Sequence, residues 1–261
     1  MTLLTIGADP EVFLIDVLGN YKSSIGLIGG SKRNPRQLEK KGFALQEDNV
    51  AVEFNIPPSK NIEEFVSSIQ WSIQRIEKEV ENLGFKVAII PAAHFPEQEL
   101  QSPAAKHAGC DPDYNAWTTF MNPRPQIASG TLRTGAGHVH IGIGRKPKFS
   151  REGFVKSLDL SLGVVSVLLD ADVLRKQLYG KAGAFRPTSY GLEYRVLSNF
   201  WLASTKLTKW VYNNTYAAYA MIEERGEKFF DDIKEEIITC INTSDKAIAK
   251  DLIKRYSIAC V

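Results

Sequence analysis

The sequence predicts an α+β protein with a mostly antiparallel sheet. Short strand-like segments separated by turns fill the first part of the chain, one long amphipathic helix interrupts them, and the segments after Trp201 have helical spacing. No repeat, linker or low-complexity tract divides the sequence. We therefore expect a single domain over residues 1–261, with a helical C-terminal portion from about residue 201.

The first strands are defined by apolar runs and by the turns that end them. Residues 12–16 form an apolar segment, and the turn Leu18-Gly19-Asn20 leads to a short extended piece over residues 21–25. Residues 50–56 form a second strong strand. Pro57-Pro58 ends it, because proline has no backbone N–H for the ladder.

A long helix follows. Asn61 with Glu64 three residues later resembles a capping box, and Gly84 marks the end of the helix. Apolar residues recur at helical spacing over about six turns between these two signals; they are Ile62, Phe65, Val66, Ile69, Ile73, Ile76, Val80 and Leu83. Residues 86–91 then predict a third strand.

The middle of the chain has less regular spacing. Residues 92–130 contain several prolines and no sustained period, so we interpret them as an ordered loop over a site. Residues 131–144 predict a strand rich in glycine and histidine, residues 154–169 a buried helix, and residues 192–197 another strand. Apolar spacing near residues 207–222, 229–241 and 247–253 predicts the C-terminal helices.

Composition excludes several functional classes. The 261 residues are 44% hydrophobic with a formal net charge of +2, so capture of nucleic acid by charge alone is not indicated. Neither a membrane-spanning run nor a secretory signal is visible, and three widely spaced cysteines suggest no disulfide framework or zinc site. We expect a cytoplasmic protein without membrane or nucleic-acid partners.

A glycine-rich loop at residues 26–33 leaves two interpretations open. It resembles a phosphate loop, but Ser31 precedes Lys32, which is the wrong order for that motif. The segment 31–41 holds five basic side chains and one acidic one. The loop is therefore either a solvated basic loop or an anion-binding loop.

Polar side chains are paired on the faces of the four best strands. Alternate strand residues share a face, which joins Asp9 to Glu11, Glu53 to Asn55, His138 to His140, and Glu193 to Arg195. Carboxylates that converge without a cation repel one another. Glutamates with one or two histidines suit Mg²⁺ or Mn²⁺, so these strands predict a metal site.

Each pair also has a structural interpretation. Glu53 could be a buried, hydrogen-bonded acid, Glu193 and Arg195 a structural ion pair, and the two histidines core residues. The agreement of all four strands favours a shared site, and the glycines around the histidines would let a ligand approach the backbone.

The motifs resemble those of a known superfamily. The segment Gly-His-Val-His-Ile-Gly at 137–142 resembles the histidine strand of glutamate–cysteine ligases, and Glu-Tyr-Arg-Val at 193–196 resembles their Glu-x-Arg strand. The closest resemblance is to the phage-type carboxylate–amine ligases, a compact branch of the glutamine synthetase and glutamate–cysteine ligase superfamily. The remaining matching segments are 7–11, 29–32, 46–49, 52–55 and 109–113.

The resemblance implies a glutamine-synthetase-like catalytic fold, in which the site lines a curved sheet (a partial barrel) covered by helices. It also implies ATP-dependent joining of a small-molecule or peptide carboxylate to an amine acceptor through an acyl phosphate, with Mg²⁺ or Mn²⁺ as cofactor. If the chain is phage-encoded, it would act in the host cytoplasm. A homo-oligomer is compatible with the resemblance.

The resemblance also implies residue roles. The metal ligands would be Glu11, Glu53, His138 and Glu193, and the nucleotide or anion contacts would be His140, Lys32 and Arg133. The catalytic residues would be Arg195, which stabilises the transferring phosphoryl group, Glu193, and Arg186 as a further anion contact. The chain departs from its larger relatives in having Asp9 instead of a glutamate and Asn55 instead of an acid, which weakens the case for a third metal.

Two alternative functions and one alternative residue stay open. A metal-dependent hydrolase could use the same histidine and glutamate face, and a non-catalytic binding module could share the fold. Cys110 could be a nucleophile, although no histidine partner is assignable and a packed cysteine is the simpler interpretation.

Overall fold

The computed structural model describes residues 4–106, 113–123, 130–144 and 147–261. Cys110 lies outside these residues, so its role stays a prediction. The described strands, in chain order, are β1 (Leu4–Ala8), β2 (Glu11–Asp16), β3 (Tyr21–Lys22), β4 (Arg36–Gln37), β5 (Ala44–Asp48), β6 (Ala51–Asn55), β7 (Phe85–Ala88), β8 (Ala92–His94), β9 (Tyr114–Asn115), β10 (Leu132–Thr134), β11 (Val139–Ile143), β12 (Ala184–Pro187) and β13 (Gly191–Tyr194).

The described helices include one π-helical turn and two 3₁₀ turns. The α-helices are α1 (Ile62–Glu81), α2 (Pro103–Lys106), α3 (Arg151–Leu158), α4 (Val164–Leu169), α5 (Arg175–Leu178), α6 (Thr205–Arg225), α7 (Glu227–Asp232), α8 (Lys234–Thr243) and α9 (Lys246–Arg255). The π-turn (Asp159–Gly163) joins α3 to α4, and the 3₁₀ turns are Glu97–Leu100 and Asn199–Ala203.

Two main antiparallel sheets organise the fold. The first has the strand order β1-β11-β13-β12-β9, and the second has the order β3-β2-β6-β5-β4 with β7 also paired to β2. The strands β8 and β10 form a small separate pair. The predicted α+β class, with a curved antiparallel sheet and helical cover, is therefore confirmed.

The chain passes from one sheet to the other at Asp9-Pro10. Strand β1 pairs with β11 in the first sheet, whereas β2 pairs with β6 in the second. The expectation that Asp9 and Glu11 share one strand face was therefore wrong. Pro10 cannot donate to a ladder, but its carbonyl accepts from Phe54 N at 3.2 Å, and Glu11 N donates to Ala136 O at 2.9 Å.

The long helix α1 begins as the sequence predicts. Asn61 is the N-cap, and its Oδ1 accepts from Glu64 N at 2.8 Å. The Glu64 carboxylate accepts a hydrogen bond from Lys60 N at 2.8 Å. In a standard capping box the donor is instead the backbone N–H of the N-cap residue, here Asn61. The helix buries Phe65, Ile69 and other apolar residues against the core.

The predicted strand over residues 131–144 is in fact two strands. It forms β10 and β11, separated by residues 135–138. At Gly137 the backbone lies so close to its neighbours that a Cβ atom would stand 2.1 Å from Ser198 O and 2.4 Å from Trp201 Nε1. This close approach bends the chain just before His138.

The C-terminal helices, whose presence was predicted, pack against earlier helices of the chain. Helix α6 contacts both α1 and α3, and α9 contacts α4. The larger of two buried apolar clusters in the described residues extends from Leu4 to Ile258. This continuity supports our proposal that residues 1–261 form one domain. In the described part of the chain, none of the helices is long and apolar enough to cross a membrane.

Candidate active-site cleft

An open cleft is lined by residues from both main sheets. The ionisable side chains that line it are Asp9, Glu11, Lys32, Asp48, Glu53, Arg133, His138, Arg175, Tyr179, Arg186 and Arg195. Most of the residues predicted from the sequence thus meet around one cavity. Glu193 contacts this lining through Arg186 and Arg195.

Three carboxylates converge on one side of the cleft. Glu11 and Glu53 are direct partners in the antiparallel register of β2 and β6, and Asp48 ends the adjacent strand β5. One carboxylate oxygen from each residue lies within 4.8 Å of those of the other two. Glu11 Oε2 also accepts from Ala136 N at 2.8 Å, which fixes its orientation. We name Glu11, Asp48 and Glu53 the carboxylate trio.

Without a counter-ion, burial and mutual repulsion disfavour negative charge on the three carboxylates of the trio. Burial, and then the charge of Asp48, raise the pKa of Glu11 to about 8. Burial and the charges of neighbouring carboxylates raise the pKa of Glu53 well above its usual value, and burial also raises that of Asp48. A bound cation would relieve this repulsion.

A second group of ligand atoms comes from the strand region around the histidines. Asp9, His140 and Glu193 each offer one ligand atom within 4.8 Å of the others. His140 Nε2 lies 3.0 Å from Asp9 Oδ1, yet neither buried atom has a well-aligned hydrogen bond to any residue in the described ranges. His138 Nδ1 lies beside the group, 3.3 Å from Glu193 Oε1 and 3.6 Å from Asp9 Oδ1. We name Asp9, His140 and Glu193 the histidine group.

Charges around the histidine group oppose the effect of burial on its acids. Burial alone would raise the pKa of Asp9, but the charge of His140 and the proximity of both imidazoles to its carboxylate lower it overall. For Glu193, burial is likewise outweighed by His138, Arg195 and Arg186, so its pKa is lowered. Burial, reinforced by Arg195, lowers the pKa of His138 to about 4, which keeps that imidazole neutral at pH 7.

Two arginines hold Glu193, which is only 2% exposed. Arg186 Nη1 donates to Glu193 Oε2 at 2.8 Å, and Arg195 Nη1 donates to Glu193 Oε1. Arg195 also donates through Nε to Asp113 Oδ2 at 3.2 Å. The ion pair considered from the sequence is therefore present, and Glu193 lies directly behind the two arginines of the cleft lining. Its structural and functional interpretations are compatible.

The glycine-rich loop surrounds an acid of the protein itself. The backbone N–H groups of Gly26, Ile28 and Gly29 donate to Glu47 Oε1 at 2.9, 3.2 and 2.8 Å. These three donors are thereby occupied by an internal carboxylate. Lys32 extends from the same loop to the cleft lining, and its charge acts on Asp48.

Arg133 lines the cleft but is already extensively hydrogen-bonded. Its Nε donates to Asn49 Oδ1 at 3.0 Å, Nη1 donates to the carbonyls of Gly130 and Leu132, and Nη2 donates to Ala105 O at 2.7 Å. A guanidinium has five N–H donors, so four of them already serve the protein. The predicted anion contact of Arg133 stays a prediction.

Sequence reasoning did not single out several residues that line or contact the cleft. Asp48 and Asp113 lie within segments that matched the ligase motifs, and that match was the available signal. Arg175 is 3% exposed on α5, and its Nη1 donates to Val196 O at 2.9 Å. No local pattern distinguishes Arg175 from a surface arginine, because only the tertiary fold turns α5 toward the cleft.

The donor chemistry of the cleft fits a divalent metal and an anionic ligand. The trio supplies hard carboxylate oxygens, and the histidine group supplies two carboxylates and an imidazole, which suit Mg²⁺ or Mn²⁺. Asp9 Oδ1 and His140 Nε2 are buried atoms that a cation would satisfy. Lys32, Arg186 and Arg195 bring positive charge to the cleft lining, which suits an anionic ligand.

Comparison with known families identifies one match. Residues 130–248 match the family model described as "Phage phiEco32-like COOH.NH2 ligase-type 2". The range includes both histidines of the Gly-His-Val-His-Ile-Gly segment together with Arg186, Glu193 and Arg195. The predicted resemblance to phage-type carboxylate–amine ligases is confirmed over that range. No curated protein matches the chain.

Several solved structures are distantly similar. A "novel glutamine synthase homolog" has a TM-score of 0.45 and 12% identity, covering 97% of this chain and 66% of that one. A "GmaS/ADP complex" gives 0.43 and 11%, covering 97% and 69%, and a Plasmodium falciparum glutamine synthetase gives 0.39 and 9%, covering 82% and 52%. The chain thus spans about two thirds of the first two chains and about half of the third.

Proposed function

Starting from the match of residues 130–248 to the phage COOH·NH2 ligase family, we propose that the chain is an ATP-dependent carboxylate–amine ligase. The overall reaction joins a carboxylate and a protonated amine to an amide, and converts ATP to ADP, phosphate and a proton. The acid is a small molecule or a peptide, and the second substrate is an amine acceptor.

The observation that carries this proposal is the position of Glu193 between two arginines at a cleft that also holds the carboxylate trio. Positive and negative groups lie close together there, as transfer of a phosphoryl group requires. Solvent-facing ion pairs need no such convergence, and Arg195 is itself only 6% exposed.

We propose that the reaction has two steps. A carboxylate oxygen of the acid attacks the γ-phosphorus of ATP and ADP leaves, which gives an acyl phosphate. The amine nitrogen then attacks the acyl carbon and phosphate leaves, while a proton is released to solvent. Little covalent chemistry falls to the protein, so its residues act by orienting the substrates and balancing their charge.

We assign the residue roles by position around the cleft. Arg195 and Arg186 would contact the transferring phosphoryl group, and Lys32 would neutralise phosphate or substrate charge. Glu11 and Glu53, together with Asp48, would hold one divalent cation. Glu193 would hold another with the histidines and Asp9. A divalent cation bound there supplies Lewis-acid polarisation and charge neutralisation of phosphate oxygens.

A coupled screen tests the proposal. The purified chain would be incubated with Mg²⁺ and ATP across panels of amino acids, short peptides and amines, and ADP, phosphate and the intact mass of any product would be measured. ADP release that requires metal and both substrates, with a product mass of acid plus amine minus water, is expected. Glu193→Gln should abolish it, and Glu77→Gln, on an exposed face of α1, should not.

Two other outcomes would replace the proposal. Metal-dependent bond cleavage without nucleotide would identify a hydrolase. Ligand binding with no turnover under any combination of substrates would identify a binding module.

A further inference from the structure

Asp159 is a fully buried carboxylate that takes no part in the proposed reaction. It begins the π-helical turn between α3 and α4. Its Oδ2 accepts from Trp117 Nε1 and from Gly183 N, both at 2.6 Å, and its Oδ1 accepts from Tyr194 OH at 2.8 Å. Three strong donors thus converge on one acid outside the cleft.

Each of the three donors lies in a segment that carries a residue of the cleft. Trp117 belongs to segment 113–123, whose first residue, Asp113, binds Arg195. Gly183 immediately precedes β12, which carries Arg186, and Tyr194 stands between Glu193 and Arg195 at the end of β13. Asp159 therefore ties together the three segments that form the arginine cluster around Glu193.

The residues around Asp159 are packed closely enough for these hydrogen bonds to set the position of segment 113–123. Gly183 has a φ of +79°, and a Cβ there would lie 2.6 Å from Trp117 Cδ1. Ala116 N donates to Gly183 O at 2.9 Å, and Asn115 Nδ2 donates to Ala182 O at 3.2 Å. The segment thus reaches the first sheet through the residues that border Asp159.

A carboxylate at this position is costly for a role in packing alone. Burial raises the pKa of Asp159 to about 7, against the hydrogen bonds from Trp117, Tyr194 and Gly183, which lower it. An apolar side chain would fill the same volume without the desolvation cost. π-Helical turns, moreover, are frequent at functional sites.

We propose that Asp159 is a positioning residue, which holds Trp117, Gly183 and Tyr194 so that Asp113 meets Arg195 and Arg186 meets Glu193. Its effect on catalysis rests on the proposed ligase function. Its effect on the position of Asp113 does not.

The test removes one of the three hydrogen bonds to Asp159. Trp117→Phe removes the indole N–H and keeps an aromatic ring. Trp71→Phe is the control, because Trp71 lies on α1 and packs against Phe43 instead of Asp159. The first readout is the ¹⁵N–¹H resonance of Arg195 Nε, assigned with Arg195→Lys, which reports the bond to Asp113 without any need for activity. The second is kcat relative to KM in the coupled assay, measured for Trp117→Phe alone and combined with Asp113→Asn.

We expect Trp117→Phe to shift the Arg195 Nε–H resonance toward its position in Asp113→Asn and to lower kcat about 10- to 100-fold, with no further loss in the double variant. Trp71→Phe should change neither readout. If Trp117→Phe and Asp159→Asn lower only thermal stability and leave the Arg195 resonance at its wild-type position, the positioning role is wrong. Should wild type show no ligase turnover, the proposed function fails, and the resonance still decides the role of Asp159.

Discussion

Glu11 on β2 lies directly opposite Glu53 on β6 in the antiparallel register. Like charges at directly opposed positions destabilise a strand pair, and here both acids face a cleft that already holds Asp48. The pair therefore needs either protons or a cation. Without a metal, the pKa values of both acids are raised, so that protons take the place of the cation.

The first prediction concerns the pH dependence of stability without metal. The pKa of Glu11 is raised to about 8, so between about pH 4.5 and 8 the folded state binds more protons at this residue than the unfolded state does. Its contribution to the free energy of unfolding is present at low pH and is lost as the pH rises through that window.

Urea unfolding in a chelator at pH 5 and pH 8 would measure the effect. Glu11→Gln should remove roughly 1–3 kcal/mol of the decline that wild type shows between these values. Because other groups also titrate in this window, the comparison is between slopes, with Glu77→Gln as the control. Equal slopes for wild type and Glu11→Gln would show that Glu11 titrates normally.

A second prediction concerns the two histidines. His138→Ala and His140→Ala should each weaken the Mn²⁺-dependent rise in melting temperature. His138 lies against Asp9 and Glu193, and His140 lies against Asp9 with a ring nitrogen within 4.8 Å of a Glu193 oxygen. We expect the Mn²⁺ concentration at half effect to rise about 10- to 100-fold. His94→Ala, which removes an exposed imidazole, should not change it. An unchanged metal response in both site variants would assign the histidines to the core alone.

A third prediction separates the charge of Arg195 from its geometry. Arg195→Lys keeps a positive charge but loses the planar fork that contacts Glu193 and Asp113, so kcat should fall about 10²- to 10³-fold with folding retained. Arg255→Lys, in an ion-paired group on α9, is the control. Loss of folding in Arg195→Lys, detected by circular dichroism, would favour a purely structural ion pair.

A fourth prediction follows from the close approach at Gly137. Gly137→Ala would force its Cβ against Ser198 O and Trp201 Nε1, so we expect a loss of roughly 1–3 kcal/mol in the free energy of unfolding. His138 follows directly, so the metal response should weaken as well. At Gly130 a Cβ meets no atom within 4 Å, and Gly130→Ala is therefore the matched control. Wild-type stability in Gly137→Ala would contradict the packing described.

The sequence predicted those parts of the fold whose signals are local. Helix α1 has a capping residue and six turns of apolar spacing, and β2 and β6 have apolar runs bounded by turns. Strands of two residues, such as β3, β4 and β9, have no period to detect. Their pairing is set by distant partners, which local patterns do not reveal.

Only those parts of the candidate site that have local sequence signals were predictable. Strand alternation and family motifs brought Glu53, His138 and Glu193 into consideration together. The passage of the chain between the sheets at Asp9-Pro10 depends on two separate registers, and the approach of Asp113 to Arg195 joins residues 82 positions apart. The convergence of Trp117, Gly183 and Tyr194 on Asp159 likewise exists only in three dimensions.

The proposed site requires that the carboxylate trio binds a cation, and a direct titration tests this binding. Mn²⁺ binding would be followed by electron paramagnetic resonance of the free ion in wild type, Glu53→Gln and Glu77→Gln. We predict saturable binding in wild type and Glu77→Gln, and loss of at least one bound ion per chain in Glu53→Gln. Identical binding in all three proteins, or no binding to wild type with or without ATP, would contradict it.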